Sequence, residues 1–176
     1  LIHARWIIPV EPEKTVYENY ALAIKNDKIL ALLSSADAKK KFTAKEEIVL
    51  EDHALIPGLV NAHTHAAMSL FRGLANDLPL MDWLNNHIWP AEKKWINAEF
   101  VRDGTKLAVA EMIRSGTTCF NDMYFYSDST AEICANVGIR VVIGLIVIDL
   151  PTSWASDSDE YLTKGESIHD CFKHNP

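Results

Sequence analysis

The sequence predicts an α/β fold, in which strands and helices alternate after a short β-rich beginning. Gly116 and Gly138 each stand between a stretch with helical periodicity and an apolar stretch typical of a strand. Glycine commonly ends helices, so the chain beyond Pro57 is predicted to run strand, helix, strand, helix, strand. Such alternation produces parallel strands joined by helical crossovers. By itself it allows either a doubly wound sheet or part of a (β/α)8 barrel.

Residues 1–53 are predicted to form part of a small β domain. The predicted strands are short and apolar, and they cover 6–8, 20–24, 28–33 and 48–50. Asn26-Asp27 lies between the second and third of them and is predicted to be a hairpin turn. Residues 36–41 are predicted to be a short helical or loop insert.

Residues 57–65, Pro-Gly-Leu-Val-Asn-Ala-His-Thr-His, are predicted to form a buried strand that ends in two histidines. Side chains alternate along a strand, so Asn61, His63 and His65 share one face. Two imidazoles about 7 Å apart on one face can bind one metal ion, and imidazole suits zinc or iron. A His-x-His tripeptide alone is a weak signal. The apolar lead-in places it at the carboxyl end of a core strand, where barrel enzymes keep their active sites.

The later elements follow from helix caps and apolar runs. Asn97 is predicted to cap a helix with Glu99 in its first turn. The buried stripe of that helix is predicted at helical spacing, on Val101, Thr105, Ala108 and Met112. A strand over 117–123 and a helix ending at Val137 should follow, the latter capped by Ser127 or Ser129. Residues 139–148 are nearly continuously apolar, which predicts a strand covered on both faces.

The connection over residues 65–97 is long and holds many apolar side chains, so it is predicted to build its own helices and cover a site. Arg72 and Asp77 are predicted to pair within it. In the polar tail, residues 156–159 are predicted to be loop and 166–174 helix. The remaining histidines are predicted to be structural or surface residues, namely His3, His53, His87, His169 and His174.

Residues 57–65 resemble the first-strand signature of the amidohydrolase superfamily. Three later motifs narrow the resemblance to one branch of that superfamily. They are Met-Ser-Leu-Phe-Arg-Gly at 68–73, Asp-Trp-Leu at 82–84 and Trp-Pro-Ala-Glu at 89–92. They are similar to the branch that contains methylthioadenosine/S-adenosylhomocysteine deaminases and triazine hydrolases. The resemblance implies the first strands of a metal-dependent (β/α)8 barrel over 54–176, preceded by part of a small β-sandwich domain over 1–53.

The same resemblance implies hydrolytic deamination of an adenosine-type nucleoside with one divalent metal, zinc or iron, held by His63 and His65. Two further histidines, an aspartate and the acidic residue that transfers the proton are expected beyond Pro176. A barrel closes with eight strands, whereas three are visible here, so the 176-residue segment alone is expected to be inactive. A guanine- or triazine-type amidohydrolase and a noncatalytic fragment are the alternatives.

Two residues of the 89–92 motif are candidate substrate contacts. Glu92 resembles the family position whose carboxylate accepts hydrogen bonds from ribose hydroxyls; alternatively, it is a surface residue beside Lys93 and Lys94. Trp89 either lines the pocket or packs the connection. Leu145 is expected where some relatives place an arginine for the homocysteine carboxylate. That assignment would favour methylthioadenosine or adenosine over S-adenosylhomocysteine, unless Lys164 replaces the arginine.

Composition excludes several classes of partner. The net charge of −7 and the lack of a basic cluster argue against nucleic acid and anionic membranes. Residues 39–41, three lysines, are predicted to be a solvated face. Cys119, Cys134 and Cys171 are odd in number and widely spaced, which predicts a reduced, cytoplasmic protein. Neither a signal peptide nor a membrane span is apparent. The expected partner is a small-molecule nucleoside, and a homo-oligomer is possible.

Overall fold

The computed structural model describes residues 1–174. Its contacts divide the chain into two compact units, Leu1–Pro57 and Gly58–Pro176. Among the described residues, no helix is both long and apolar enough to cross a membrane.

The first unit is a four-stranded sheet with one short helix. Its elements are β1 (Ile2–Ile7), β2 (Tyr17–Lys25), β3 (Lys28–Ser34), α1 (Ser35–Lys41) and β4 (Ile48–Leu55). The strand order is β3-β2-β1-β4, with β4 parallel to β1 and the other pairs antiparallel. The hairpin turn at Asn26-Asp27 is confirmed, and Asn26 has a φ of 56°. The strands are longer than predicted because polar residues such as Arg5 and Glu51 occupy exposed positions in them.

The insert after β3 is a helix. The Ser34 hydroxyl accepts a hydrogen bond from the Asp37 amide at 3.2 Å and so caps α1. Asp37 also places a negative charge in the first turn, where the helix dipole favours it. The three lysines at 39–41 are exposed in its last turn, as predicted.

The second unit contains a three-stranded parallel sheet. Its strands are β5 (Leu59–Thr64), β6 (Thr117–Met123) and β7 (Arg140–Gly144), in the order β5-β6-β7. Two crossover helices join them, α4 (Ala98–Arg114) and α5 (Ser127–Val137), and α6 (Ser158–Phe172) follows β7. The predicted alternation of strands and helices is confirmed.

The connection between β5 and α4 forms its own helices, as predicted. They are a 3₁₀ helix (Ala66–Phe71), α2 (Leu80–Trp83), a π-helical turn (Leu84–Ile88) and α3 (Trp89–Trp95). The predicted pairing of Arg72 with Asp77 is wrong. Arg72 instead forms a two-pronged ion pair with Glu111 of α4, with nitrogen–oxygen distances of 2.9 and 2.6 Å. The 3₁₀ helix packs beside α4, which brings Glu111 within reach.

Helix α4 follows the sequence prediction closely. The Asn97 side chain accepts a hydrogen bond from the Phe100 amide at 2.9 Å, and Val101, Thr105 and Ala108 are buried. Met112 is only partly buried. The prediction for the start of α5 is wrong. Neither Ser127 nor Ser129 caps this helix, and both lie buried inside it.

The residue before α5 explains that difference. Tyr126 has a left-handed backbone with a φ of 51°, and its carbonyl accepts from the Ser129 amide at 2.9 Å. This tight turn starts the helix without a side-chain cap. Gly138 ends α5 with a φ of 80°, as its position predicts.

Two strand predictions need correction. The strand predicted over 139–148 is shorter, since only β7 (Arg140–Gly144) is a strand, and its Val142 is 58% exposed. The strand β5 was predicted to be buried, but it is exposed, and its Val60 is 68% exposed. Within residues 1–174, β5 and β7 each pair only with β6 and so form the two edges of the sheet. The prediction for residues 139–148 assumed that packed elements cover both faces of the strand.

The tail forms an earlier helix than predicted. The Asp157 carboxylate accepts from the Glu160 amide at 2.9 Å and caps α6, so Ser158 and Asp159 belong to the helix. Tyr161 of this helix is buried with Trp154 in an apolar cluster that includes Val101 of α4. The polar residues around 156–159 therefore start a helix instead of forming a loop.

Gly104 marks a close approach between α4 and the 3₁₀ helix. A Cβ there would lie 2.4 Å from the carbonyl oxygen of Ala67 and 2.7 Å from its Cα. We expect Gly104→Ala to lower the free energy of unfolding by about 1–3 kcal/mol, because backbone must move to admit the methyl group. Urea unfolding of the variant measures this effect.

Gly165→Ala is the matched control, since Gly165 also lies in a helix. The nearest atom to its added Cβ is the Leu145 Cβ at 3.6 Å, an ordinary contact. Alanine favours helix by about 1 kcal/mol, so this variant should be neutral or more stable. Equal unfolding midpoints for Gly104→Ala and the wild type would contradict the close packing described here.

Candidate metal centre

His63 and His65 lie at the carboxyl end of β5. The centroids of their rings are 5.1 Å apart, and the ring planes meet nearly at right angles, at 79°. His63 belongs to the strand, whereas His65 follows it directly and precedes the 3₁₀ helix. The two imidazoles are therefore close enough for both to contact one metal ion.

The orientation of His65 is set by the neighbouring strand. Its Nδ1 lies 2.6 Å from the carbonyl oxygen of Met123, the last residue of β6. A carbonyl only accepts hydrogen bonds, so Nδ1 carries the hydrogen and Nε2 keeps its lone pair. This hydrogen bond is typical of metal-binding histidines, whose other ring nitrogen holds the ion.

Asp122, also at the end of β6, contacts the chain on both sides of His65. It is 2% exposed, and its Oδ1 accepts from the Ala66 amide at 2.7 Å and the Thr64 hydroxyl at 2.9 Å. Burial raises the pKa of Asp122, and these two hydrogen bonds and nearby His65 oppose that shift. From the sequence, Asp122 and Asn121 are expected at the end of the second parallel strand, with either a functional role or, for Asp122, a role in orienting the connection or a neighbouring strand.

Glu92 and Trp89 lie in α3 and line the same cavity. This cavity, here called the Glu92 cavity, has a volume of about 540 Å³ and is also lined by Phe125, Ile148 and Thr152. Trp89 is 43% exposed, so its side chain borders the cavity and is not buried within the connection between β5 and α4. Their roles in substrate binding stay predictions.

Tyr124 connects the Glu92 cavity with the histidine pair. Its hydroxyl donates to Glu92 Oε1 at 2.7 Å, and its ring centroid lies 6.1 Å from that of His65. Burial raises the pKa of Glu92, and the hydrogen bond from Tyr124 opposes that rise. Glu92 is thus a half-buried carboxylate held towards the end of the sheet that carries His65. Sequence reasoning missed Tyr124, whose only signal is its place just after β6.

His63 and His65 supply only some of the ligands that a metal ion needs. A catalytic zinc commonly has about three protein ligands, and His63 and His65 supply two imidazoles. Across residues 1–174, no group of three or more His, Cys, Asp or Glu side chains comes together around a possible metal position. A complete site therefore needs donors in addition to these two.

The other candidates lie elsewhere. His3 is buried in the first unit, whereas His53, His87, His169 and His174 are exposed, in line with structural or surface roles. Cys119, Cys134 and Cys171 are free thiols, and burial raises the pKa of Cys134 to about 12.

Leu145 lies outside the Glu92 cavity. It lines a separate cavity against α6, next to Tyr161 and Gly165. The Lys164 ammonium contacts the Trp154 carbonyl and forms an ion pair with Glu160 at 2.7 Å. The substrate preference expected from Leu145 stays a prediction.

Parallel strands joined by helices, with candidate ligands at the carboxyl end of a strand, match the architecture of β/α-barrel enzymes, whose active sites lie at that end. The chain belongs to the amidohydrolase family, whose family model matches residues 54–175.

Relatives with curated names are similar over nearly the whole chain. The 5-methylthioadenosine/S-adenosylhomocysteine deaminase of Saccharophagus degradans is 48% identical over 173 residues, which cover 98% of this chain and 39% of that protein. The protein of the same name from Teredinibacter turnerae is 42% identical over 175 residues, 99% of this chain and 40% of that protein. The chain thus spans about 40% of the length of these relatives.

Solved structures confirm the predicted fold class. A zinc-bound adenosine deaminase from Xanthomonas campestris superposes with a TM-score of 0.95 at 48% identity, covering 99% of this chain and 40% of that one. Guanine deaminase from E. coli superposes with a TM-score of 0.79 at 18% identity, covering 97% and 43%, and shows a shared fold alone. The parallel strands correspond to the beginning of an amidohydrolase (β/α)8 barrel.

Proposed function

We propose that the full-length protein is a metal-dependent aminohydrolase. It would convert an adenosine-type nucleoside (methylthioadenosine, adenosine or S-adenosylhomocysteine) into the inosine analogue and ammonia. The names of the relatives support this proposal. The observation that carries it is the half-buried Glu92 carboxylate, which lines a cavity and is joined through Tyr124 to the neighbourhood of His65.

The proposal assigns His63 and His65 as two ligands of one divalent metal. We propose zinc as that metal, with iron as the alternative that metal analysis would reveal. A bound metal of this kind lowers the pKa of water and polarises the group under attack. The remaining ligands and the proton-transferring residue are proposed to lie beyond Pro176. The first unit is proposed to be part of a small β-sandwich domain.

Glu92 is proposed to recognise the ribose. A carboxylate is an acceptor with two oxygens, and Tyr124 uses only part of that capacity by donating to Oε1. Ribose hydroxyls are donors that such a group can bind, whereas a bare guanine or triazine ring has no hydroxyl to offer. Trp89 would supply an apolar wall beside the bound nucleoside.

The substrate class is tested on the full-length zinc-loaded protein. Ammonia release is measured with methylthioadenosine, adenosine and S-adenosylhomocysteine, and with guanine and an amino-substituted triazine. We expect kcat/KM for at least one nucleoside to exceed that for both bare rings by at least about tenfold to a hundredfold, the value of hydrogen bonds to a charged group. A higher kcat/KM for guanine or the triazine would overturn the nucleoside assignment.

Residues 1–176 expressed alone should not release ammonia from methylthioadenosine, even with added zinc. The described part of this segment contributes His63 and His65 but no cluster of three possible metal ligands. The full-length protein is the positive control, and circular dichroism checks that the segment is folded. Turnover by the segment within tenfold of the full-length rate would show that no further ligands are required.

A further inference from the structure

We propose that Asp122 is a positioning residue that fixes His65 in the orientation needed to bind the metal. The proposal rests on the proposed metal site but concerns a residue that does not touch the metal itself. Asp122 stands on β6 directly beside Thr64 of β5 in the register of the two strands. It is therefore placed at the point where β5 ends and the 3₁₀ helix begins.

One carboxylate oxygen holds the chain on both sides of His65. Asp122 Oδ1 accepts from the Ala66 amide at 2.7 Å, immediately after His65. The same oxygen lies 2.9 Å from the hydroxyl of Thr64, the residue immediately before His65. The Thr64 hydroxyl also lies 2.9 Å from the carbonyl oxygen of Asn121. The backbone of His65 is thus fixed from both neighbours.

The next residue of β6 fixes the ring. The Met123 carbonyl oxygen lies 2.6 Å from His65 Nδ1, which sets both the tautomer and the rotation of the imidazole. With the backbone held by Asp122 and the ring by Met123, the direction of Nε2 is determined. Metal ligands need to be held within about 0.5 Å of their working geometry, and partners of this kind provide that precision.

Asp122 itself is not placed as a ligand. Its Oδ1 is occupied by the Ala66 amide and the Thr64 hydroxyl. Within the described residues it does not come together with His63 and His65 as a three-member metal cluster. Burying a carboxylate is unfavourable unless hydrogen bonds compensate, and these bonds keep Asp122 at 2% exposure. The Asp122 carboxylate is therefore tied to both neighbours of His65, and it also interacts with the buried Thr130 hydroxyl of α5.

The experiment compares Asp122→Ala, Asp122→Asn and Thr64→Val in the full-length protein. Zinc affinity is measured by competition with a chromophoric chelator, and the coordination geometry by the visible spectrum after Co²⁺ substitution. We expect Asp122→Ala to weaken zinc binding about 10- to 100-fold and to change the cobalt spectrum. Asp122→Asn keeps an acceptor oxygen and should stay nearer the wild type, and Thr64→Val should lie between the two.

Asp103→Ala is the matched control, because Asp103 is an exposed aspartate of α4 that pairs with Lys106. Its zinc affinity should equal that of the wild type. Unchanged affinity and an unchanged cobalt spectrum in folded Asp122→Ala would overturn the proposal. If Asp122→Ala does not fold, an unchanged spectrum in Thr64→Val overturns it instead. A wild type that binds no metal through His63 and His65 would refute the proposed function rather than this role of Asp122.

Discussion

If the proposed function is right, alanine at His63 or at His65 should remove most of the bound metal from the full-length protein, and with it the proposed deaminase activity. Changes to residues that merely orient a ligand lower metal affinity about 10- to 100-fold, so loss of a ligand should cost at least about a hundredfold. The ring centroids of the two histidines are only 5.1 Å apart, so both rings can contact the same ion. Each variant therefore removes one of these two ligands. Metal content per chain after gel filtration, together with ammonia release, gives the result.

His87→Ala is the control for this prediction. His87 is an exposed histidine in the π-helical turn, outside the histidine pair. It should leave metal content and activity at wild-type levels. Undiminished metal in a folded His63→Ala or His65→Ala variant would show that the pair does not hold the ion.

Glu92→Gln should abolish the preference for substrates that carry ribose hydroxyls. In the wild type, we expect kcat/KM for adenosine to exceed that for 2′,3′-dideoxyadenosine by about ten- to a hundredfold, since hydrogen bonds to a charged acceptor are worth about 1.5–3 kcal/mol. The amide removes the negative charge and part of the accepting capacity. Activity on adenosine should therefore fall towards that on the dideoxy analogue, which itself should change little.

Glu99→Gln makes the same chemical change at an exposed glutamate in the first turn of α4. It should leave the ratio of the two kcat/KM values unaltered. Tyr124→Phe removes the donor to Glu92 Oε1 and should reduce the ratio only in part. A Glu92→Gln enzyme that still prefers adenosine by the wild-type factor would refute the assignment of Glu92 to the ribose.

Features that depend on a few neighbouring residues were predictable from the sequence. The Asn97 cap, the helix end at Gly138 and the hairpin turn at Asn26 are set by local backbone and side-chain chemistry. The placement of His63 and His65 at the end of a strand likewise follows from an apolar run with alternating side chains. These signals involve contacts that lie within a few positions along the chain.

Features that depend on distant neighbours were not predictable. Arg72 pairs with Glu111, 39 positions away, and not with nearby Asp77. Glu92 meets Tyr124 across 32 positions, and no local pattern indicates that contact. The exposure of β5 was missed for the same reason, since the burial of its side chains depends on which distant elements cover the faces of the sheet.

The start of α5 was not predictable because Tyr126 has a left-handed backbone conformation. Residues with a branched or bulky side chain seldom adopt positive φ, so the sequence pointed to a serine cap for α5 instead. Its hydroxyl donates to the Ser153 carbonyl oxygen at 2.8 Å, and that contact helps hold the strained residue in place. Only the folded arrangement reveals this start of the helix.

Crystallography of the full-length protein with anomalous scattering at the zinc absorption edge tests the central claim most directly. The account predicts one strong anomalous peak about 2.0–2.1 Å from the Nε2 atom of His65 and at bonding distance from a ring nitrogen of His63. Met123 should remain hydrogen-bonded to His65 Nδ1 in that structure. A fully occupied metal peak elsewhere, with neither His63 nor His65 within bonding distance, would contradict the account.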